Sequence, residues 1–148
     1  MDLTQLITEE VVKIPLLGRT KSAVLREFVE FLAERGRIGD ARKVYDALLD
    51  REGLGSTGLE MGIAIPHCRS DAVGSLIVAA GVSPGGVNFE SLDGATTRLF
   101  FVVLAPFDQP ASHVQLLSEI GALTRSAAFV RALMEAATAE EFVRRFRQ

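Results

Sequence analysis

The spacing of hydrophobic residues changes twice along the chain, and its first part has the period of a helix. Within Lys21–Arg35 apolar residues recur every three or four positions, which predicts an amphipathic helix that ends at Gly36. Asp40 is placed to cap a second helix. The inner face of that helix would carry Val44, Tyr45, Leu48 and Leu49.

Short unbroken apolar runs replace this period in the middle of the chain. Leu76–Val82 and Leu99–Ala105 are rich in Val, Ile and Phe and are bounded by Gly, Pro or Asp, which predicts two buried strands. A weaker strand is expected around Val87–Phe89, joined to the later run by a turn at Asp93-Gly94. Another short strand is expected around Glu10–Ile14.

The last third returns to the helical period, and polar residues mark where its helices begin. Ser112 stands three residues before Gln115, and Thr138 three before Glu141, which is the spacing of a capping box. Ser126 begins a helix between them. The order of helices, strands and helices predicts an α/β fold with a mixed β-sheet flanked by helices in α/β/α layers.

The composition fits one domain over residues 1–148. With 48% hydrophobic and 24% charged residues, the chain can bury a core without metal or disulfide support, and its one cysteine excludes an internal disulfide. No apolar run reaches the roughly 18 residues of a membrane span. The first residues lack the pattern of a signal peptide, so a cytoplasmic protein that is not membrane-embedded is expected.

The charge distribution argues against a nucleic-acid partner. The net charge is -3, whereas duplex binding needs a concentrated basic face. The one basic cluster, Arg144, Arg145 and Arg147, adjoins Glu140 and Glu141. We interpret it as the solvated end of the last helix, where cations suit the helix dipole.

Two motifs suggest chemistry that their context does not support. Gly53–Gly58 matches the Gly-x-Gly-x-x-Gly dinucleotide pattern, but a predicted helix precedes it and Pro66 opposes a helix after it. His67, Cys68 and His113 are too few for a structural zinc site, so no metal or cofactor is expected. A catalytic Cys68 thiol with a histidine base stays an alternative, although no local nucleophile signature surrounds it.

The two histidines are the remaining candidates for chemistry. His67 follows the apolar run Ile63–Pro66, and position alone favours a structural role for it over a functional one. His113 falls at the predicted start of the helix after Ser112. The positive end of that helix would keep its imidazole neutral.

A longer pattern surrounds His67. Arg51-Glu52, Ser56-Thr57-Gly58 and Ala64-Ile65-Pro66-His67 follow one another in one segment. This segment closely resembles the active-site signature of type-2 IIA domains of the bacterial phosphoenolpyruvate-dependent phosphotransferase system, in its fructose, mannitol and nitrogen-regulatory branches. The later matches, in the family's order, are Asn88-Phe89, Leu92-Asp93-Gly94, Ala105-Pro106 and Ser112–Leu117.

The resemblance implies that His67 accepts a phosphoryl group on a ring nitrogen from a small phosphocarrier protein of the HPr type. Arg51 and His113 match the companions of that histidine: the arginine offers a planar fork to phosphoryl oxygens, and the second histidine an N–H. Thr57 is a weaker expectation as a hydroxyl donor, with glycines around it that let backbone approach the phosphoryl group. Cys68 departs from the family's usual Gly or Ala, and its small size should be tolerated.

The resemblance covers two kinds of function. A nitrogen-regulatory IIA is a module whose phosphorylation state decides which regulatory target proteins it contacts. A sugar-specific IIA, of the fructose or mannitol type, passes the phosphoryl group to a IIB component for sugar uptake. The run Arg51–Gly58 and the lack of a IIB, carrier or membrane segment favour the regulatory branch, and the sugar-specific branch is the alternative.

Overall fold

The computed structural model describes residues 3–148. Along the chain the elements are α1 (Leu3–Leu6), a 3-10 turn (Glu9–Val11), β1 (Val12–Lys13), α2 (Lys21–Glu34), α3 (Ala41–Gly53), β2 (Ile63–Ala64), β3 (His67–Arg69), β4 (Ile77–Val87), β5 (Thr97–Ala105), α4 (Pro110–Leu123), α5 (Ala127–Met134) and α6 (Ala139–Phe146).

The middle layer is a mixed sheet, as predicted, and it has five strands. Strands β4 and β5 pair antiparallel along most of their length. β1 pairs parallel with β4, while β2 and β3 pair parallel with successive parts of β5. Residues 63–69 therefore follow β5 as one interrupted edge strand. The interruption includes Pro66, which has no N–H to donate to a ladder but accepts the N–H of Val103 at 3.0 Å through its carbonyl oxygen.

The alternation of side chains along β5 builds a core on each face of the sheet. Phe100, Val102 and Leu104 are buried beneath α2 and α3. Leu99, Phe101 and Val103 are buried on the opposite face, beneath α4, α5 and α6. Because successive residues of a strand point to opposite faces, a strand covered on both sides is continuously apolar. The expected α/β/α layering is confirmed.

Most predicted helix boundaries are confirmed by their capping bonds. The side chains of Asp40, Ser126 and Thr138 accept the N–H groups of Lys43, Phe129 and Glu141, respectively. Each bond satisfies one of the amides that a helix leaves free at its start. At the end of α2, Gly36 has a φ of +67°, in the left-handed region that glycine tolerates best.

The predicted cap at Ser112 is wrong. Helix α4 begins at Pro110, and Gln109 is its N-cap residue. Proline suits the first helical position because its fixed φ is helical and its missing N–H would have no partner there. His113 is consequently the fourth residue of the helix, and its N–H donates to the carbonyl of Gln109 at 3.2 Å.

The strand predictions need two corrections. Val87–Phe89 is not a separate strand, because Val87 ends β4 after a register shift between Val82 and Val87. The short strands β2 and β3 were not predicted. The strand expected around Glu10–Ile14 is present as β1, at Val12–Lys13.

No helix within residues 3–148 is long and apolar enough to cross a membrane.

Candidate active site

The candidate site lies where the end of α3, the strand β3 and the first turns of α4 meet. Arg51 is in the last turn of α3, His67 is the first residue of β3, and His113 is on α4. The ring centroids of the two histidines are 5.5 Å apart, with an angle of 65° between the ring planes. The structure therefore brings together the three residues that the sequence singled out most strongly.

The three side chains of strand β3 alternate between the two faces of the sheet. Cys68 is buried in the core beneath α3, where its thiol lies 4.0 Å from the carbonyl oxygen of Val44. His67 is half-buried and Arg69 is exposed. Since side chains two apart on a strand share a face, His67 and Arg69 project together toward the cavity beside α4.

The hydrogen bonds of the His67 ring define its tautomer. Nδ1 lies 2.8 Å from the carbonyl oxygen of Ile65, which can only accept a hydrogen bond. Nε2 accepts the Nε–H of Arg51 at 3.2 Å, because a guanidinium can only donate. Both contacts are satisfied only by a neutral imidazole with its proton on Nδ1. The lone pair of Nε2 is thus available as a nucleophile.

The surroundings of His67 favour this neutral form. Burial lowers the pKa of His67 below its ordinary value, and the positive charge of Arg51 lowers it further. The hydrogen bond to Ile65 and the charge of Glu52 oppose this shift without reversing it. An imidazole acts as a nucleophile only through an unprotonated nitrogen, so the lowered pKa keeps the Nε2 lone pair available near neutral pH.

Arg51 is held at both ends of its guanidinium. Besides the bond from Nε to His67, its Nη1 donates to the carbonyl oxygen of Gly55 at 2.9 Å. Gly55 lies in the loop that follows α3. The position of Arg51 over His67 therefore depends on the conformation of this loop.

His113 is buried, with 7% of its surface exposed, and is also neutral. Burial lowers its pKa to about 4, with further contributions from charge on His67 and Arg69. Burial, rather than the helix start expected from the sequence, is the main cause. Its Nε2 is buried without a hydrogen-bond partner among the described residues. Such a group is costly unless a hydrogen-bond partner satisfies it.

Thr57 is hydrogen-bonded to Glu52 through both its hydroxyl and its backbone N–H. Its hydroxyl donates to the Glu52 carboxylate, and its N–H donates to the same carboxylate at 3.1 Å. Lys21 pairs with this carboxylate at 2.9 Å, and the Glu52 side chain is only 4% exposed. The expected role of Thr57 as a hydroxyl donor to a phosphoryl group stays a prediction. The Lys21–Glu52 pair was not predicted from the sequence.

The glycine-rich loop makes its closest backbone approach away from His67. A Cβ on Gly58 would lie 3.0 Å from the carbonyl oxygen of Phe89 and 3.0 Å from the Cα of Ser91. Around Gly53 and Gly55 a Cβ would meet nothing within 4 Å. The loop follows a helix and leads into β2, so it lacks the strand-then-helix context of a dinucleotide site.

A cavity of about 580 Å³ opens above the two histidines. Arg51 and Arg69 contribute its positive charge. Leu54, Phe107 and Val114 line it too, although they are 86%, 62% and 65% exposed. The position of Arg69 at this cavity was not predicted from the sequence. Recognising His67-Cys68-Arg69 as a strand would have placed it on the same face as His67.

The structure gives no support to a catalytic thiol. Burial raises the pKa of Cys68 to about 12, so the thiolate is scarce at neutral pH. The side chain also points into the core beneath α3. No three His, Cys, Asp or Glu side chains in the described part of the chain converge on a metal-sized position.

Comparison with known proteins identifies relatives of one kind. The family described as "Phosphoenolpyruvate-dependent sugar phosphotransferase system, EIIA 2" matches residues 5–148. The chain is 38% identical over 140 residues to a nitrogen regulatory protein of Pseudomonas aeruginosa, covering 93% of this chain and 90% of that protein. It is 35% identical over 129 residues to a fructose-specific EIIA component of Haloferax volcanii, covering 85% and 82%.

A longer relative and several solved structures extend this result. A fructose-specific EIIABC component of Bacillus subtilis is 32% identical over 143 residues, which is 97% of this chain but 22% of that protein. The nitrogen regulatory protein IIA-Ntr of Neisseria meningitidis superposes with a TM-score of 0.88 at 27% identity, covering 97% of both chains. The Escherichia coli complex of IIA mannitol with phosphorylated IIB mannitol matches with a TM-score of 0.80 at 23% identity, covering 95% and 96%, a likeness of fold.

Proposed function

Because this chain belongs to the EIIA type-2 family of the phosphoenolpyruvate-dependent sugar phosphotransferase system, we propose that Nε2 of His67 is its phosphoryl acceptor. As a member of the family it is a phosphocarrier component of that system. The observation that carries the assignment to His67 is its tautomer. Nδ1 donates its proton to the carbonyl oxygen of Ile65, and Nε2 carries no proton, so its lone pair accepts the hydrogen bond of Arg51.

The transfer itself exchanges one N–P bond for another. The Nε2 lone pair of His67 forms the new bond to phosphorus, while the electron pair of the breaking bond stays on the donor nitrogen. The product ring carries a proton on Nδ1 and the phosphoryl group on Nε2, so it gains positive charge. The hydrogen bond from Nδ1 to Ile65 then becomes charge-assisted, which stabilises the transition state more than the resting state.

Arg51 and His113 stabilise the charge of the phosphoryl group in this proposal. Arg51 leaves the Nε2 lone pair as the new bond forms and turns its planar fork to the phosphoryl oxygens. His113 is neutral, and a proton on its buried, unpartnered Nε2 would find an acceptor there. Such transfers depend mostly on positioning and on electrostatic stabilisation of the phosphoryl oxygens.

We propose a small HPr-type phosphocarrier protein as the donor. The exposed apolar side chains of Leu54, Phe107 and Val114 at the cavity suit a protein surface better than a small solute. The positive charges of Arg51 and Arg69 complement a phosphorylated donor. These residues lie on α3, β3, α4 and the loops after α3 and β5, and together they give the cavity a combined apolar and basic lining.

We favour the nitrogen-regulatory branch, in which the phosphorylation state selects regulatory target proteins. It is supported by the run Arg51–Gly58, the 38% identity to the Pseudomonas nitrogen regulatory protein and the TM-score of 0.88 with IIA-Ntr. The alternative is a sugar-specific IIA that passes the phosphoryl group to a IIB component. The fructose-specific relative at 35% identity favours that alternative.

The acceptor assignment is tested by phosphorylation with phosphoenolpyruvate, enzyme I and an HPr-type carrier, followed by intact-mass spectrometry. Wild type should gain one acid-labile phosphoryl group, and His67→Ala should gain none. The matched control is His113→Ala, which keeps the acceptor and should still be labelled, only more slowly. A label that persists in His67→Ala would exclude His67 as the acceptor.

The branch is tested by offering the phosphorylated protein a fructose-type or mannitol-type IIB component. A regulatory IIA should retain its label, whereas a sugar-specific IIA should transfer it within seconds. IIA mannitol serves as the positive control for transfer. Rapid transfer from this chain to either IIB would overturn the regulatory assignment.

A further inference from the structure

Arg69 is a free cation next to the proposed acceptor. It follows His67 by two positions on β3, on the same face of the strand, and it lines the same cavity as His67 and His113. Its side chain is exposed. Among residues 3–148, none forms a hydrogen bond or an ion pair with its guanidinium.

The other arginine of the cavity is engaged before any phosphoryl group arrives. Arg51 donates through Nε to the attacking lone pair of His67 and through Nη1 to Gly55. It has to break the first of these bonds before phosphorus can approach Nε2. A phosphoryl group brings a charge of ≈ −1.5 to −2, which needs a cationic partner during this exchange. Arg69 can provide it without losing any bond.

The strand geometry puts Arg69 within reach of the acceptor. Side chains two residues apart on a strand start roughly 6.5 Å apart and project in the same direction. A group bound to Nε2 of His67 would stand in the cavity that both side chains line. The charge of Arg69 also contributes to the lowered pKa of His113, which places that charge within electrostatic range of the second histidine.

The geometry points to Arg69 as a second phosphoryl-binding arginine of the site, an inference that rests on the proposed acceptor role of His67. Its guanidinium binds the nonbridging oxygens as the phosphoryl group arrives, while Arg51 exchanges partners. It keeps them bound once the N–P bond to His67 has formed. Arg69 gives up no proton and forms no covalent bond in this step.

The experiment compares Arg69→Gln and Arg69→Lys with wild type and with Arg125→Gln. Arg125 is also an exposed arginine, but it follows the far end of α4, about 18 Å along the helix axis from His113. Single-turnover rates are measured at saturating phosphorylated HPr-type carrier, so that weaker docking does not lower them. The ³¹P chemical shift of phosphorylated His67 is then measured in each variant.

The Arg69→Gln variant should reach a maximal rate about ten- to a hundredfold below wild type, because a charge-assisted hydrogen bond is lost. Arg69→Lys should recover part of the rate, since it keeps the charge but not the fork. The ³¹P shift should move in Arg69→Gln, while Arg125→Gln should match wild type in both readouts. Thermal unfolding verifies that each variant is folded.

Three outcomes would overturn the inference. An Arg69→Gln variant with the wild-type maximal rate excludes a contact with the phosphoryl group during transfer. A lower rate at subsaturating carrier alone, with an unchanged ³¹P shift, assigns Arg69 to carrier docking instead. If wild type gains no label, or if the label survives in His67→Ala, the acceptor assignment fails first and the role of Arg69 fails with it.

Discussion

The two sides of His67 are organised in different ways. On the side of α3, Arg51 is hydrogen-bonded to His67 and to Gly55. The loop beneath it is held by the buried Glu52 carboxylate. On the side of α4, His113 is buried against the same ring, and its Nε2 has no partner within the described residues.

The difference indicates how each side responds to a phosphoryl group. In the proposed transfer, the Arg51 side exchanges its existing hydrogen bond to His67 for stronger charge-assisted ones. On the His113 side the ring is already buried, so in the same proposal a phosphoryl oxygen would give Nε2 a partner that the described residues do not provide. The proposed function thus treats Arg51 as a replaceable clamp and His113 as a preorganised donor.

Removal of the preorganised donor should have the largest effect. His113→Ala should slow single-turnover phosphorylation of His67 by about 10²–10³, the usual loss for one such donor, while the final label stays at one phosphoryl group. The rate is measured by rapid quench with a saturating carrier. A wild-type rate in this variant would show that the buried Nε2 plays no part in the transfer.

The clamp should be more tolerant of change, because it keeps its charge in a conservative variant. Arg51→Lys should slow the same reaction by about ten- to a hundredfold, since an ammonium cannot reproduce the bidentate fork. Arg42→Lys is the control, because Arg42 is exposed and, within residues 3–148, forms an ion pair only with Asp46 one turn away. If Arg51→Lys were slower than His113→Ala, the comparison between the two sides would be reversed.

The contribution of the loop after α3 to the position of Arg51 can be tested at the buried carboxylate of Glu52, to which this loop is hydrogen-bonded. Glu52→Gln should lower the free energy of unfolding by about 1–3 kcal/mol, because Lys21 and Thr57 lose a charged partner. It should also slow the transfer several-fold by loosening the loop that holds Arg51. Glu90→Gln is a close control, since Glu90 pairs with the same lysine at 3.3 Å but is 75% exposed. Equal effects of the two variants would argue against a specific role for the buried pair.

Because His113 is neutral in the fold, the free energy of unfolding should depend on pH in a defined direction. The pKa of His113 is lowered to about 4 in the fold, against 6.5 for the ordinary group, so the unfolded chain binds more protons between these values. The free energy of unfolding should therefore fall as pH decreases from 6.5 toward 4. Urea titrations at pH 7.5, 5.5 and 4.5 should show a smaller decrease in His113→Gln than in wild type. Parallel pH curves would contradict the lowered pKa.

The smallest effect on the transfer rate is expected at Cys68, which lies on the opposite face of β3 from His67. Cys68→Ala should leave the transfer rate within about twofold of wild type, while the free energy of unfolding falls by about 1 kcal/mol for the lost packing. Chemical denaturation and single-turnover kinetics on the same preparation separate the two quantities. A strong loss of transfer with unchanged stability would place the thiol in the reaction after all.

Several helix boundaries were predictable because their signals are local. Asp40, Ser126 and Thr138 cap helices in the structure, and each bond joins residues three apart. The Ser112 cap failed because a competing local signal, Pro110, determines where α4 begins. His67, Arg51 and His113 were identified through the resemblance to a family.

The site residues that were not predicted lie on elements, or in pairs, that leave no periodic pattern in the sequence. Strands β2 and β3 are two and three residues long, too short for an alternating pattern to emerge. Arg69 was missed with them, because only its place on β3 puts it on the face of His67. The Lys21–Glu52 pair joins residues 31 positions apart.

The sequence by itself determined the layered α/β fold, the two central strands and the identity of the family. The apolar period and the helix caps can be recognised within short stretches of the chain, and the family through its motifs. Only the tertiary structure decided the proton position on His67, the burial of His113 and the partners of Arg51. These properties depend on which groups lie within hydrogen-bond distance and on how much water is excluded. Both are set by elements that meet only after the chain has folded.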